Sequence, residues 1–175
     1  MRQALSLRGF TLFELLLAIS LGLILLMIAV PSYEHLLARN KTTGVVNHII
    51  AAIHTARSEA ITQSRVIVFC GSEDNTHCDG QWQAGQLMLI DDSQQVLRIY
   101  SGISPGDRLW WKSSLGYNNA LKFAPTGFTQ GQRGSFYYCP RYRTAQYGAK
   151  IVVSDSGRVR VETDAEELQK ICVSV

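Results

Sequence analysis

Gly9-Phe10-Thr11-Leu12-Phe13-Glu14 opens a run that stays almost wholly apolar from Leu15 to Val30, so one carboxylate stands at the head of a segment of membrane length. A carboxylate in hydrocarbon costs several kcal/mol and is kept there only where a partner or a function holds it. As a helix, Phe10 to Val30 rises about 30 Å at ~1.5 Å per residue, enough to cross a bilayer core. Arg2 and Arg8 precede the run and hold their end in the cytoplasm, which sends everything after Pro31 to the other side. A secretory signal peptide also starts with basic residues. Its cleavage site, however, needs small residues spaced A-x-A, and this run ends Ile28-Ala29-Val30-Pro31-Ser32-Tyr33.

Beyond Pro31 the apolar residues Val45, Val46, Ile49, Ile50, Ile53, Ala56, Ala60 and Ile61 recur at three- and four-residue spacing against Asn47, His48, Arg57 and Ser58. The spacing predicts one long helix, kinked but not ended by Pro31. His35, His48 and His54 lie on it without metal-type spacing and read as solvated or capping residues. From Arg65 onward the pattern changes to short β-type runs at 66–70, 86–90, 96–100, 121–123, 135–139, 150–154 and 158–162, separated by turns such as Asp155-Ser156-Gly157. The expected fold is therefore α+β, with the amphipathic half of the helix (32–64) packed on an antiparallel β-sheet body of about seven short strands (65–175). The last two runs form a C-terminal hairpin, followed by a tail.

Cys70, Cys78, Cys139 and Cys172 form an even set in a chain whose body faces an oxidising compartment. Four cysteines allow three pairings. We favour Cys70 with Cys78, closing a short polar loop, and Cys139 with Cys172, pinning the tail to the body. Zinc is the competing reading, with His77 beside Cys78, but no C-x-x-C pair is present. No metal and no cofactor are expected.

Cutting after Gly9 would place a new α-amino group on Phe10, four residues before Glu14 and on its helical face. This resembles the signal of type IV prepilins, whose peptidase cleaves after the glycine and N-methylates the new terminal phenylalanine. The resemblance implies a leader at 1–9, a membrane half of the helix at 10–31, and a pairing of Glu14 with the terminal amine of an adjacent subunit. It also implies a single-pass inner-membrane protein with a periplasmic domain, destined for a surface pilus among other pilins. Farther on, Cys70-Gly71, Cys78-Asp79-Gly80-Gln81-Trp82, Gly85, Leu87 to Asp91, Phe123-Ala124-Pro125-Thr126-Gly127 and Gly157-Arg158-Val159-Arg160 are similar to the FimT and GspH family of minor pilins and pseudopilins.

In a strand, Arg158 and Arg160 point to one face about 6.6 Å apart, while Val159 and Val161 point into the core. The whole chain carries a net charge of only +3, but from Arg98 to Arg160 ten basic residues stand against Asp107 and Asp155. A basic surface on a balanced protein suggests an anionic polymer, and guanidinium forks match phosphate oxygens. The expected hairpin brings Lys150 to the arginine pair, and a cystine at Cys139 brings Arg141 and Arg143. Tyr137, Tyr138, Tyr142 and Tyr147 would stack on bases where exposed; alternation makes at least one of Tyr137 and Tyr138 core, and Trp110 and Trp111 read as packing residues. The resemblance adds that FimT-like members with a C-terminal G-R-x-R motif are associated with DNA binding during natural transformation. Two to four phosphate contacts predict weak, sequence-independent binding with a log K against log salt slope of about −2 to −4 on duplex DNA.

Enzyme chemistry is not expected. Gly102-Ile103-Ser104-Pro105-Gly106 fits G-x-S-x-G in form, but proline after the serine has no N–H for an oxyanion hole. Two function classes remain: a DNA-catching minor pilin, and a structural minor pilin or H-type pseudopilin of type II secretion whose basic face meets another subunit.

Overall fold

The computed structural model describes residues 11–116, 119–141, 147–162 and 164–174. Gly9, Phe10, Tyr142 and Arg143 lie outside the described residues. The chain divides into two compact units, Met1–Ala38 and Arg39–Val175.

Helix α1 spans Leu12–Gln63 and continues through position 31. Its start is built by Thr11 and Glu14. The Thr11 hydroxyl accepts the Glu14 N–H at 3.2 Å, and the Glu14 carboxylate accepts both the Thr11 N–H and its hydroxyl at 3.1 Å. This is a reciprocal capping box, which satisfies donors that a helix start otherwise leaves open. The α1 residues of the first unit include the one described helical stretch long and apolar enough to cross a membrane, with mean hydropathy 2.7.

In the second unit α1 buries Val46, Ile49, Ala52, Ile53, Ala56 and Ala60, with Val45 and Ile50 partly covered. Alanines at 52, 56 and 60 fall one turn apart, so this stripe of the helix lies close against its neighbours. Ile61, expected on the same face, is instead 50% exposed. It follows Ala60 by about 100° of helical rotation and so leaves the buried stripe.

Eight strands follow: β1 (Ile67–Gly71), β2 (Gly85–Ile90), β3 (Val96–Ser101), β4 (Arg108–Ser113), β5 (Ala120–Phe123), β6 (Gly134–Cys139), β7 (Ala149–Val153) and β8 (Val159–Glu162). They form two antiparallel sheets, ordered β3-β2-β1-β5 and β4-β6-β7-β8, rather than one. One core unites them with α1. The first sheet contributes Ile67, Phe69, Met88, Ile90, Leu121 and Phe123; the second contributes Leu109, Trp111, Phe136, Tyr138, Ile151 and Val153. Trp82 fills the space between, edge-on to Phe136 at 4.8 Å and to Phe69 at 5.3 Å.

Two elements go beyond the sequence reading. β4 alternates Leu109, Trp111 and Ser113 inward, but Arg108, Trp110 and Lys112 between them disguise the strand. The tail forms helix α2 (Ala165–Ser174), whose first turn is capped where the Asp164 carboxylate accepts the Glu166 N–H at 3.0 Å. Both disulfides, Cys70–Cys78 and Cys139–Cys172, are present.

Candidate functional site

The second sheet turns one face to the core and leaves another outward. Register fixes which residues share it. Lys112 pairs with Ser135, Ser135 with Val152, and Val152 with Arg160; the next row runs Trp110, Tyr137, Lys150 and Glu162. All eight side chains stand opposite the core set, because neighbours along a strand alternate.

Helix α2 covers one end of this outer face. Cys172 is bonded to Cys139, the Arg108 guanidinium donates to the Cys172 carbonyl at 2.6 Å, and Leu168 is buried. At the same end, the Lys150 ammonium donates to both Glu167 oxygens at 2.9 and 3.0 Å and lies 3.1 Å from Glu162. These contacts, led by the Glu167 bond, hold the Lys150 ammonium above the usual lysine range against the opposing effect of burial. Expected beside the arginine pair and available to an anion, Lys150 is instead 16% exposed and committed to two carboxylates.

The other end lies open as a groove of about 630 Å³. Arg133, Arg158 and Arg160 line it, with Ser114, Ser135, Ser154 and Ser156. Its floor is Ser135 and Val152, both short, so the longer arginine side chains rise around it. No carboxylate is among its lining residues. Arg160 is 72% exposed and meets Glu162 at 2.8 Å, and Arg133 approaches Asp155 only to 3.8 Å. Such solvated pairs contribute little and yield readily to another anion. The Arg158 guanidinium has no ion-pair partner among the described residues.

The turn that carries Arg158 is tightly held. The Ser154 N–H bonds to the Arg158 carbonyl at 3.0 Å and the Gly157 N–H to the Ser154 carbonyl at 2.9 Å, with Gly157 at φ +72°. This is a short hairpin loop closed by a left-handed glycine. A Cβ on Gly157 would lie 2.7 Å from the Gly127 carbonyl oxygen and 3.1 Å from Arg57 Cδ. The Arg57 guanidinium in turn donates to that carbonyl at 3.1 Å, and the Thr129 N–H bonds to the Asp155 carbonyl at 2.9 Å. The Phe123–Gly127 and Gly157–Arg160 segments, far apart in sequence, are therefore one packed unit clamped by the helix.

Other expected members fall elsewhere. β6 and β7 are antiparallel, so the 154–158 turn abuts the start of β6, and Arg141 follows its far end. There Arg141 donates its N–H to Asp107 at 3.1 Å and packs against Gly106. Arg133, which precedes β6, occupies the place expected of Arg141. Strand β8 begins at Val159, with Arg158 still in the turn; Val159 packs on the core, but Val161, on an edge strand, is 42% exposed. Tyr138 is core, and Tyr137 stacks on Trp110 at 5.5 Å with planes 17° apart. Among the described residues no group of three His, Cys, Asp or Glu side chains is placed to hold a metal.

Residues 45–157 match the sequence profile of the family described as Type II transport protein GspH. Two fimbrial proteins of Pseudomonas aeruginosa are each 35% identical over 89 residues, a match that spans 51% of this chain and 57% of theirs. Among solved structures, the type IV minor pilin FimU of P. aeruginosa superimposes with a TM-score of 0.57 at 22% identity, over 73% of this chain and 92% of FimU. The minor pseudopilin EpsH of the Vibrio cholerae type 2 secretion system gives 0.53 at 11% identity, over 71% of this chain and 99% of EpsH. At these identities the likeness is one of fold. With the profile match covering most of the chain, it follows that the protein belongs to the GspH family.

Proposed function

We propose that this family member is a minor type IV pilin of the FimT-like branch that catches extracellular DNA by its phosphate backbone during uptake for natural transformation. The observation that carries this reading is the groove on the second sheet. Arg158 and Arg160 line it together with Arg133, no carboxylate lines it, and its turn is locked against α1. Guanidinium groups held on a rigid frame lose little entropy on meeting phosphate, and backbone contacts carry no base sequence.

Prepilin peptidase cuts after Gly9, and the membrane half of α1 anchors the chain in the inner membrane with its body in the periplasm. In the pilus, Glu14 exchanges its contacts with Thr11 for the terminal amine of a neighbouring subunit. The capping box supports this role, because it keeps an otherwise isolated carboxylate satisfied until a stronger partner arrives.

The test is Arg158→Gln with Arg160→Gln in the full chain, purified in non-ionic detergent and titrated with labelled duplex DNA at several salt concentrations. Loss of binding and of transformation, with the melting temperature and pilus assembly unchanged, is the expected result. Undiminished binding by a folded double variant overturns it. That outcome favours a purely structural minor pilin or H-type pseudopilin, whose basic groove seats another subunit.

A further inference from the structure

Resting on the DNA reading above, we propose that Lys112 and Arg133 are phosphate ligands as well, and that with Arg158 and Arg160 they hold a single sugar–phosphate strand across the open half of the second sheet. Lys112, Ser135, Val152 and Arg160 lie in one row across β4, β6, β7 and β8 on the outer face. Three strand spacings of about 4.8 Å put the two cationic ends of the row about 14 Å apart. The inner pair is short and uncharged. A row with long cations at its rims and a low neutral floor is a trough; Arg160 lines the groove, while Lys112 stands on the far rim, beyond its lining residues.

Arg133 and Arg158 flank the open end of the trough. The backbone of each is pinned: the Arg133 carbonyl accepts the Ser114 N–H and hydroxyl, both at 2.9 Å, and the Arg158 N–H and carbonyl both bond to Ser154. Of the four cations, two have solvated ion-pair neighbours and two have none among the described residues. Arg133 has Asp155 at 3.8 Å, Arg160 has Glu162, and Lys112 and Arg158 have no ion-pair partner among the described residues. Gathered like charges on one small surface repel each other, and a polyanion relieves that repulsion. At the opposite end α2 and the Lys150–Glu167 pair wall the trough off, so the strand runs past Arg133 and Arg158 and not toward Arg141.

Four phosphate contacts predict a log K against log salt slope of about −3.6 on duplex DNA and about −2.8 on a single strand, since one strand makes all of them. The experiment uses the full chain in non-ionic detergent, with fluorescence anisotropy of a labelled 30-base-pair duplex and of labelled oligothymidine, from about 25 to 200 mM NaCl, a range over which such contacts are strongly titrated. Variants are Lys112→Gln with Arg133→Gln, Arg158→Gln with Arg160→Gln, and a charge-matched control on the first sheet's side, Arg65→Gln with Arg98→Gln. The expected result for Lys112→Gln with Arg133→Gln is a slope shallower by about 1.8, at least tenfold weaker binding than the control, and an unchanged melting temperature. Binding equal to the control's, with Arg158→Gln and Arg160→Gln still abolishing it, overturns this inference and leaves the DNA reading standing. Undiminished binding in the Arg158 and Arg160 variant overturns both. Binding of duplex without binding of oligothymidine overturns the single-strand geometry.

Discussion

Gly157→Ala should damage the fold and the groove together, and the structure sets the size of the effect. Gly157 sits at φ +72°, where a side chain costs about 1–2 kcal/mol. The added Cβ would also stand 2.7 Å from the Gly127 carbonyl oxygen, a backbone atom that can retreat only by loosening its bond from the Arg57 guanidinium. A hydrogen bond to a charged group contributes about 1.5–3 kcal/mol, and its partial loss brings the total to about 3 kcal/mol. For a body of this size that lowers the melting temperature by about 10 °C. Fluorescence of Trp82 and Trp111, both fully buried, follows the unfolding. Gly116→Ala is the control, because Gly116 has φ +82° but nothing within 4 Å of its added Cβ, so it carries the conformational cost alone. DNA affinity should fall in Gly157→Ala, since Arg158 hangs on the displaced turn. A loss no larger than that of Gly116→Ala would refute the claim that Gly127, Arg57 and Gly157 form one clamped unit.

Tyr138→Phe removes the donor that meets the buried Asp107 carboxylate at 2.7 Å and should cost about 1–2 kcal/mol. Burial raises the Asp107 pKa, but hydrogen bonds from Tyr138, Lys41 and the Arg141 N–H outweigh it and hold the carboxyl below its ordinary range. Its contribution is thus present above the ordinary aspartate pKa and lost as pH falls through the depressed one, so Tyr138→Phe should begin to unfold in acid at higher pH than the parent, read from urea midpoints between pH 2 and 7. Cys139→Ser with Cys172→Ser opens a loop of sequence separation 33 and should cost about 4 kcal/mol on a chain-entropy account. Hydrogen exchange should then show α2 losing protection before β6 and β7.

The fold was readable where one period ran long enough to dominate. The α1 stripe from Val46 to Ala60 and the β-type runs read at 66–70, 86–90 and 135–139 fall on buried elements of the fold. β4 was not readable because its outward residues are Arg108, Trp110 and Lys112: a tryptophan on the solvent side, stacked on Tyr137, breaks the apolar–polar alternation that marks a half-buried strand. α2 was missed for a different reason. Asp164-Ala165-Glu166-Glu167 looks like an acidic tail, yet Asp164 is a capping residue and Leu168 and Cys172, four apart, are the buried stripe. Leu168, the Cys139–Cys172 disulfide, the Arg108 bond to the Cys172 carbonyl and the Lys150–Glu167 pair hold so short a helix, and none of them leaves a long periodic signal.

The groove was legible only in part, because a count of charges along the chain carries no direction. Arg133 and Arg141 are eight positions apart and equal in any sum over 98–160, yet they bracket β6 and so stand at opposite ends of the sheet. Once β7 and β8 are read as a hairpin and β6 as antiparallel to β7, the turn at 154–158 must meet the residue before β6, which is Arg133. That signal was in the sequence for a reader who followed strand direction instead of composition. The same hairpin sets Lys150 opposite Glu162, but its second carboxylate, Glu167, belongs to an element that gave no sign of itself. The acidic helix neutralises one end of the outer face and leaves the other positive. The basic groove is thus set as much by where α2 lies as by where the arginines are, and a surface that summed to a broad positive field along the chain becomes one narrow trough in the fold.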